Sequence, residues 1–282
     1  MLAFGAKIAP HDGAIARESS TCGVILEAAA SLYFAPMQFL ASVFYTLFLF
    51  VWTFLYAVMF VCVAICLPFP RRAGLARGWA VGLLTVLKWV CRLDYTVEGR
   101  EHIPPDNHIA LWKHASTWET LAISVVFPRQ VWVLKRELLW LPFVGWSIRL
   151  LHAIAIDRGA GHTAVNQVIE QGRQRLEEGD WVVMFPEGTR MPAGQTRRYG
   201  VSGALLASQT GRFIIPVAHN AGYFWPRRAL LKKPGTVRVV IGPPILAAGR
   251  DPREINAEAQ AWIEDQMSRM VPDSYRPAAG PQ

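Results

Sequence analysis

The sequence predicts an α/β protein with a mixed sheet flanked by helices, preceded by a hydrophobic membrane-helix motif. Short β-branched runs alternate with helical segments from Tyr95 onward, which is typical of an α/β sheet. The stretch from Ala28 to Pro70 contains no Asp, Glu, Lys, Arg or His. The 282 residues are 52% hydrophobic and 18% charged, whereas globular proteins average about 25% charged residues. This composition excludes a disordered chain and indicates contact with lipid.

The apolar stretch is long enough for one membrane helix. A helix from Phe39 to Leu67 would extend about 43 Å, which exceeds the roughly 30 Å hydrocarbon layer but is too short for two spans. We therefore expect one tilted or partly interfacial helix. A cleaved signal peptide is disfavoured because its apolar part is only about 7 to 15 residues long. Arg71, Arg72 and Arg77 follow the stretch, so the positive-inside rule places the rest of the chain in the cytoplasm.

A second helical segment follows, from Leu75 to Leu93. Its apolar residues recur at three- and four-residue spacings, and Arg77, Lys88 and Arg92 lie outside that stripe. An amphipathic helix at the membrane interface and a helix that packs on the following domain both fit this pattern. Residues 37–93 are therefore predicted to form the membrane-anchoring helices.

The two ends of the chain are predicted to be disordered. Residues 1–36 lack sustained periodicity and are expected to form a disordered leader, and Met37, at the head of the apolar run, is an alternative translation start. Residues 272–282 are rich in Pro, Ala and Gly and are expected to form a disordered tail. Between the anchor and the tail, residues 94–271 are predicted to form a single α/β domain.

Alternating runs define the strands and helices of this domain. The predicted strands are Tyr95–Glu98, His108–Trp112, Val131–Leu134, Ala153–Ile156, Trp181–Phe185, Ile214–Ala218 and Val237–Ile241. The predicted helices are Thr117–Phe127, Leu138–Leu150 with a break at Pro142, Gly161–Glu178, Val201–Gln209 and Pro252–Met270. This interleaving predicts helices on both faces of the sheet.

A histidine and a glutamate follow the predicted strand that ends at Trp112. His114 comes directly after the strand end, and Glu119 lies one turn into the next helix. A carboxylate can hold one ring nitrogen of a histidine while the other nitrogen acts as a general base. The alternative is structural, because Ser116 and Glu119 also fit the capping box that closes a helix N-terminus.

A second polar motif follows the predicted strand Trp181–Phe185. Its turn contains Glu187, Gly188 and Arg190. The planar fork of Arg190 suits a phosphate or carboxylate, and Glu187 could hold the loop through backbone N–H groups. The alternative is an ordinary turn with a solvated arginine.

Further cations follow two more of the predicted strands. Lys135 follows Val131–Leu134, and Arg158 follows Ala153–Ile156. Ligands of α/β sheets bind outside the carboxyl ends of the strands. We therefore expect these cations to share one edge of the sheet with the His114 and Arg190 motifs.

Metal and nucleic-acid sites are disfavoured by spacing and by charge distribution. The six-residue spacing of His102, His108 and His114 fits no usual zinc ligand set. The net charge of +8 suits anionic lipid headgroups, while the basic residues are dispersed and no nucleic-acid recognition motif occurs.

Four motifs together resemble the glycerolipid acyltransferase family. His114–Glu119, Ile154–Arg158, Phe185–Arg190 and Ile214–Ala218 occur in the order and spacing of that family, and they are most similar to bacterial 1-acyl-sn-glycerol-3-phosphate acyltransferases. The first motif of the family is H-x-x-x-x-D, whereas this chain has Glu119 at the aspartate position. Ala115 also stands where glutamine is common.

The resemblance implies that residues 94–271 are an acyltransferase domain at the bacterial inner membrane. The implied reaction moves a fatty acyl chain from acyl carrier protein or acyl-CoA to the free hydroxyl of 1-acyl-glycerol-3-phosphate, giving phosphatidic acid without an acyl-enzyme intermediate. It needs no cofactor or metal besides the acyl donor as co-substrate. The implied catalytic residues are His114 and Glu119, and the implied substrate-binding residues are Arg158, Glu187, Gly188 and Arg190. Lys135 is a further candidate for substrate binding because it follows a strand at the same edge.

The resemblance also assigns the acyl-binding side of the domain to the strand around Ile215, Pro216 and Val217. Two alternatives stay open at this point. One is an acyltransferase that acts on another lysophospholipid or lipid-like acceptor. The other is a non-catalytic membrane protein that binds lipid, which the departures at Ala115 and Glu119 keep open.

Overall fold

The computed structural model describes residues 13–157, 159, 161–272 and 275. These residues contain a mixed sheet of seven strands. The strands are β1 (Leu93–Glu98), β2 (Ile109–Trp112), β3 (Gln130–Lys135), β4 (Ile154–Ile156), β5 (Trp181–Met184), β6 (Ile214–His219) and β7 (Gly235–Ile241). Each lies at a predicted position and differs from it by one or two residues at its ends, so the predicted fold class is confirmed.

The order of the strands brings several carboxyl ends to one edge of the sheet. The order is β1-β7-β6-β2-β5-β3-β4. β2 runs parallel to β5 and β6, β3 runs parallel to β4 and β5, and β7 is antiparallel to β6. The carboxyl ends of β2, β3, β4, β5 and β6 therefore face the same way. This topology brings the strand ends that precede the predicted motifs to one edge of the sheet.

Helices cover both faces of the sheet. They are α1 (Gly13–Ala64), α2 (Phe69–Cys91), α3 (Trp118–Val126), α4 (Val144–Leu150), α5 (His162–Glu177), α6 (Ser202–Thr210), α7 (Ala221–Phe224) and α8 (Pro252–Arg269). The predicted break at Pro142 is present, because a 3-10 turn at Arg136–Trp140 precedes α4. The sequence did not predict α7, since four residues are too few to show a helical period.

Alternation along β2 divides the core into two layers. Ile109 and Leu111 belong to the hydrophobic cluster that contains residues of α5, α6 and α8. Ala110 and Trp112 belong to the cluster on the opposite face, which contains residues of α2 and α3. Side chains point alternately to the two faces of a strand, so a four-residue strand supplies both layers.

The first helix is longer than the sequence predicts. It begins at Gly13, so residues 13–36, expected to be a disordered leader, are helical in the structure. The alanine run at 28–30 favours a helix, and α1 also contains Pro36 in its interior. Residues 1–12 lie outside the described residues, as does most of the predicted disordered tail. Within that tail, Tyr275 packs against Tyr223 at 4.8 Å between ring centroids.

Two of the described helices are long and apolar enough to cross a membrane by length and composition. They are the part of α1 from Ala35 to Ala64 and the whole of α2. From Gln38 onward, one face of α1 lies on α2 and on the α/β domain, while the other face exposes large apolar side chains to the surroundings. The exposed apolar residues of α1 include Met37, Leu40, Phe44, Leu47, Phe50, Val51, Phe54 and Leu55. This surface indicates membrane association.

The second helix packs on the α/β domain, as one of the two alternatives for this segment predicts. Leu83, Leu87 and Cys91 are fully buried and share a core cluster with Trp118 of α3. On the other side of α2, the Trp89 side chain is exposed. Hydrogen bonds also join α2 to α1, among them one from the Tyr56 hydroxyl to the Leu75 carbonyl at 2.8 Å. The anchor and the domain therefore form one packed unit.

Candidate active site

His114 stands just beyond the carboxyl end of β2, where both of its peptide groups are held. Its backbone N–H donates to Oε2 of Glu187 at 2.8 Å, and its carbonyl accepts from the N–H of Met191 at 2.7 Å. Its ring stacks on Phe185 with 4.0 Å between centroids and 18° between planes. The loop after β5 therefore fixes the main chain and one ring face of His114.

The side chain of His114 pairs with Glu119 of α3. Its Nδ1 atom lies 2.8 Å from Oε1 of Glu119. The same oxygen accepts the backbone N–H groups of Ala115 at 3.1 Å and Ser116 at 2.9 Å. Glu119 therefore makes both contacts that the sequence suggested, because it accepts N–H groups at the start of α3 and also contacts the histidine. The extra methylene of glutamate does not prevent the pairing.

The pairing assigns the ring nitrogens of His114 to different tasks. A carboxylate oxygen only accepts hydrogen bonds, so Nδ1 carries the proton that Glu119 accepts. Nε2 has no hydrogen-bond partner within the described part of the chain. The side chain keeps 10% of its surface exposed, whereas that of Glu119 is fully buried. Nε2 is therefore the nitrogen left to face a substrate.

Glu119 is positioned to remain ionised. Burial would raise the pKa of Glu119, but the hydrogen bond from His114, the neighbouring histidines and the Ser116 N–H outweigh it and hold that pKa below its usual range. An ionised carboxylate beside Nδ1 keeps the imidazole in one tautomer and stabilises the imidazolium that forms when Nε2 takes a proton.

A second buried histidine lies next to this pair, and the sequence did not predict it. His219 ends β6, with Nε2 donating to the Lys113 carbonyl at 2.8 Å and Nδ1 accepting from the Ala221 N–H at 3.3 Å. These partners require the neutral ring, and burial lowers the pKa of His219. Its Nε2 lies 3.9 Å from Oε2 of Glu119, an oxygen without a hydrogen-bond partner among the described residues. His219 could have been predicted from its position at the end of a strand, because other candidate site residues also follow strand ends.

Glu187 occupies a different place from the predicted substrate-binding one. Its carboxylate is buried, with Oε1 2.7 Å from the Lys113 ammonium and Oε2 on the His114 N–H. Both oxygens therefore face the interior and not the edge of the sheet. A substrate phosphate against this carboxylate would also bring two negative charges together. Glu187 was predicted to hold its own loop through backbone N–H groups, and in the structure its carboxylate accepts the N–H of His114, which lies in the loop after β2.

In the same loop, Gly188 is exposed and Arg190 is partly buried. Gly188 has a φ of 66° and its N–H donates to the Phe185 carbonyl at 2.9 Å, so a left-handed turn that favours glycine directs the loop. The carbonyl of Arg190 accepts from Nη1 of Arg227 at 3.1 Å. The buried Nε atom of Arg190 has no hydrogen-bond partner among the described residues. Because β5 is next to β2, Arg190 follows the strand adjacent to that of His114.

Lys135, another of the predicted cations, lies further along the same edge. Lys135 ends β3, two strands from β2, which is about 10 Å at the usual strand spacing. Its ammonium lies 3.0 Å from Glu137, and both side chains are more than half exposed. Arg158 lies outside the described residues. Its neighbour Asp157 accepts from Arg136 at 3.1 Å.

The histidines at six-residue spacing do not converge on a metal. Nδ1 of His102 contacts the Ile241 carbonyl and Nδ1 of His108 accepts from the Phe213 N–H, so each has its own partner. Elsewhere His152, Glu178 and Asp180 place ligand atoms within 4.8 Å of one another. Arg129 and Arg175 already pair with these two carboxylates, and their positive charges oppose binding of a cation.

Comparison with known proteins identifies the family. Residues 94–220 match the family model described as Acyltransferase. The chain is 39% identical over 246 residues to the 1-acyl-sn-glycerol-3-phosphate acyltransferase of Pseudomonas aeruginosa, covering 86% of this chain and 96% of that protein. It is 28% identical over 216 residues to the enzyme of the same name from Limnanthes douglasii, covering 75% of each chain.

A solved structure shares the fold. The crystal structure of the 1-acyl-sn-glycerophosphate (LPA) acyltransferase PlsC from Thermotoga maritima matches with a TM-score of 0.69 and 21% sequence identity, covering 85% of this chain and 97% of that chain. The chain belongs to the acyltransferase family that contains the 1-acyl-sn-glycerol-3-phosphate acyltransferases.

Proposed function

We propose that the chain transfers a fatty acyl group from acyl-CoA or acyl carrier protein to the free hydroxyl of 1-acyl-glycerol-3-phosphate, giving phosphatidic acid. The observation that carries the proposal is the contact of 2.8 Å between His114 and Glu119 at the edge of the sheet, with Arg190 after the adjacent strand. A base and a cation at this edge fit an acceptor that offers a hydroxyl and a phosphate.

The chemical step is a direct transfer with His114 as general base. Nε2 of His114 takes the proton of the acceptor hydroxyl as its oxygen attacks the thioester carbonyl. The new C–O bond forms, the C–S bond breaks, and the proton passes to the departing thiolate. Glu119 stabilises the imidazolium between these events. The thioester supplies the driving force, so the step requires no cofactor or metal.

The acceptor phosphate is bound by arginine and lysine side chains. Arg190 is the main candidate, because it follows the strand next to His114 and its guanidinium can form two parallel hydrogen bonds to a phosphate. Lys135 contributes less, since it lies two strands from β2 and is paired with Glu137. Arg158, which follows β4 along the chain, is a further candidate for this binding.

The apolar surface of α1 lies in one leaflet of the bacterial inner membrane, with the catalytic edge on the cytoplasmic side. The opposite face of α1 is bound to the domain along much of its length, from Gln38, which donates to the Lys232 carbonyl at 2.5 Å, to Ala57, which accepts from Ser147 at 3.4 Å. The exposed Trp140 and Trp146 side chains extend the apolar surface beside it. A lipid acceptor could then reach the site without passing through water.

A transfer assay with several acceptors tests the proposal. Purified protein is given radiolabelled acyl-CoA or acyl carrier protein together with lysophosphatidate, lysophosphatidylcholine, lysophosphatidylethanolamine or monoacylglycerol. We expect phosphatidic acid to form fastest, and comparison of the two donors identifies the carrier. A faster reaction with an acceptor that lacks a free phosphate would exclude the phosphate clamp, and no transfer to any acceptor would support a lipid-binding role instead.

A further inference from the structure

Lys113, the residue before His114, is a fully buried lysine that the proposed chemistry does not use. Its side chain is 1% exposed. Its three N–H bonds have three acceptors, which are Oε1 of Glu187 at 2.7 Å, Oε1 of Glu264 at 2.9 Å and the Gln195 carbonyl at 3.0 Å. A buried ammonium is costly unless all its donors are paired, and here they are.

The three acceptors come from different parts of the fold. Glu187 lies in the loop after β5, Gln195 lies in the segment before α6, and Glu264 belongs to α8. Lys113 itself follows β2, where its N–H donates to the Val217 carbonyl at 3.0 Å. One ammonium therefore connects the segments that surround the candidate base.

The connection reaches His114 through Glu187. One oxygen of Glu187 accepts from Lys113, and the other accepts the backbone N–H of His114 at 2.8 Å. On the far side, Glu264 accepts the Tyr199 hydroxyl at 2.7 Å and Oγ1 of Thr196 at 2.9 Å. Glu264 of α8 is therefore connected, through Lys113, to the Glu187 carboxylate that accepts the His114 N–H.

We propose that Lys113 and Glu264 are positioning residues that hold the Glu187 carboxylate against the His114 backbone N–H and thereby set the position of the imidazole. The inference rests on the proposed function, in which His114 is the general base. Lys113 and Glu264 act through another group and do not touch the substrate. Without Lys113, the Glu187 carboxylate would be a buried charge without a cation, and the loop would have to move to hydrate it.

The test combines single and double variants with two measurements. Lys113→Met removes the ammonium, and Lys113→Met combined with Glu187→Gln removes both charges. Glu264→Ala removes the carboxylate of α8 that accepts from Lys113. Asp265→Ala is the matched control, because Asp265 is the next residue of the same helix and its carboxylate pairs with Arg269 on the surface. Rates are measured at several acceptor concentrations, and hydrogen exchange is followed by mass spectrometry in the peptide that contains the His114 amide.

The inference predicts a loss in kcat with an unchanged KM for the acceptor. We expect Lys113→Met to lower kcat by about 100-fold, the effect of misplacing a catalytic group by about 1 Å. Glu264→Ala should lower it by about tenfold and should speed exchange of the His114 amide by a similar factor, while Asp265→Ala changes neither. The double variant should recover about tenfold over Lys113→Met, because the fully buried Glu187 side chain no longer carries a charge without a cation.

Three outcomes would overturn the inference. They are a double variant that is no more active than Lys113→Met, a raised KM with an unchanged kcat, and a Glu264→Ala variant equal to Asp265→Ala in both measurements. If Lys113→Met does not fold, the comparison of Glu264→Ala with Asp265→Ala still tests the inference. If the wild type transfers no acyl chain, the proposed function fails, whereas the exchange of the His114 amide still tests the positioning.

Discussion

Oε1 of Glu119 lies 2.8 Å from Nδ1 of His114 and accepts the Ser116 N–H at 2.9 Å. One buried oxygen thus both orients the imidazole and closes the first turn of α3. The hydrogen bonds to N–H groups at the start of α3 fix the Glu119 side chain, and the fixed carboxylate in turn orients the imidazole ring. A glutamate at this position can therefore make both contacts at once.

The charge of Glu119, more than its shape, is expected to matter for the reaction. Glu119→Gln keeps the size of the side chain and an oxygen that can accept the Ala115 and Ser116 N–H groups, but it removes the charge that stabilises the imidazolium. We expect kcat to fall by about 100- to 10,000-fold with little change in the KM for the acceptor. Steady-state rates at varied acceptor concentration check this. A variant that keeps more than a third of the wild-type kcat would exclude the pairing as part of the mechanism.

The lowered pKa of Glu119 predicts that the folded protein loses stability at acid pH. Its pKa in the folded protein lies below its ordinary value of 4.5, so the charged form is favoured by folding. Its contribution is complete above about pH 4.5 and disappears as the pH falls through the folded pKa. Glu119→Gln lacks this contribution, so the gap in melting temperature between wild type and variant should narrow as the pH falls from 6 to 3. Thermal melts in detergent measure the gap, and a gap that widens would contradict the assignment.

The sequence predicts the fold and the local motifs of the site better than its long-range contacts. The strands could be predicted because β-branched runs lie between turn residues, and His114 and Arg190 could be predicted because each follows a strand end. The contact between Lys113 and Glu264 could not be predicted, because it joins residues that are 151 positions apart in the sequence. His219 was missed for the same reason, since its importance depends on β6 lying next to β2.

Membrane association was predicted from composition, whereas the arrangement of the helices could not be. An apolar run indicates lipid but does not say which of its faces packs on protein. In the structure, Ser42 and Tyr45 are fully buried, while Leu40 and Phe44 are exposed. Only the tertiary contacts of α1 with α2 and the α/β domain separate these faces.

Arg190 is expected to recognise the acceptor phosphate. Arg190→Ala should raise the KM for lysophosphatidate by about 10- to 100-fold, as expected when a hydrogen bond to a charged group is lost. The KM for monoacylglycerol, which has no phosphate, should not change. Arg173→Ala is the control, because Arg173 is an exposed residue of α5 whose Nη2 contacts Gln209. Equal effects of Arg190→Ala on both acceptors would argue against a phosphate contact.

The exposed face of α1 is expected to determine binding to membranes. Phe50 is 67% exposed on this face. Phe50→Glu replaces buried apolar area in the lipid with a charge, so partition into phospholipid vesicles should fall by at least about tenfold. Vesicle flotation measures the partition, and Gln171→Glu on α5 controls for the added negative charge. Equal flotation of Phe50→Glu and wild type would show that this face does not enter the bilayer.

The rate of acyl transfer by His114→Ala is the most direct test of the account. A general base contributes about 100- to 10,000-fold, so kcat for lysophosphatidate should fall by that factor while the melting temperature stays close to that of the wild type. His162→Ala, which truncates an exposed histidine at the start of α5, should keep the wild-type rate. A folded His114→Ala protein that transfers the acyl chain within a few-fold of the wild-type rate would contradict the central claim that this imidazole takes the proton.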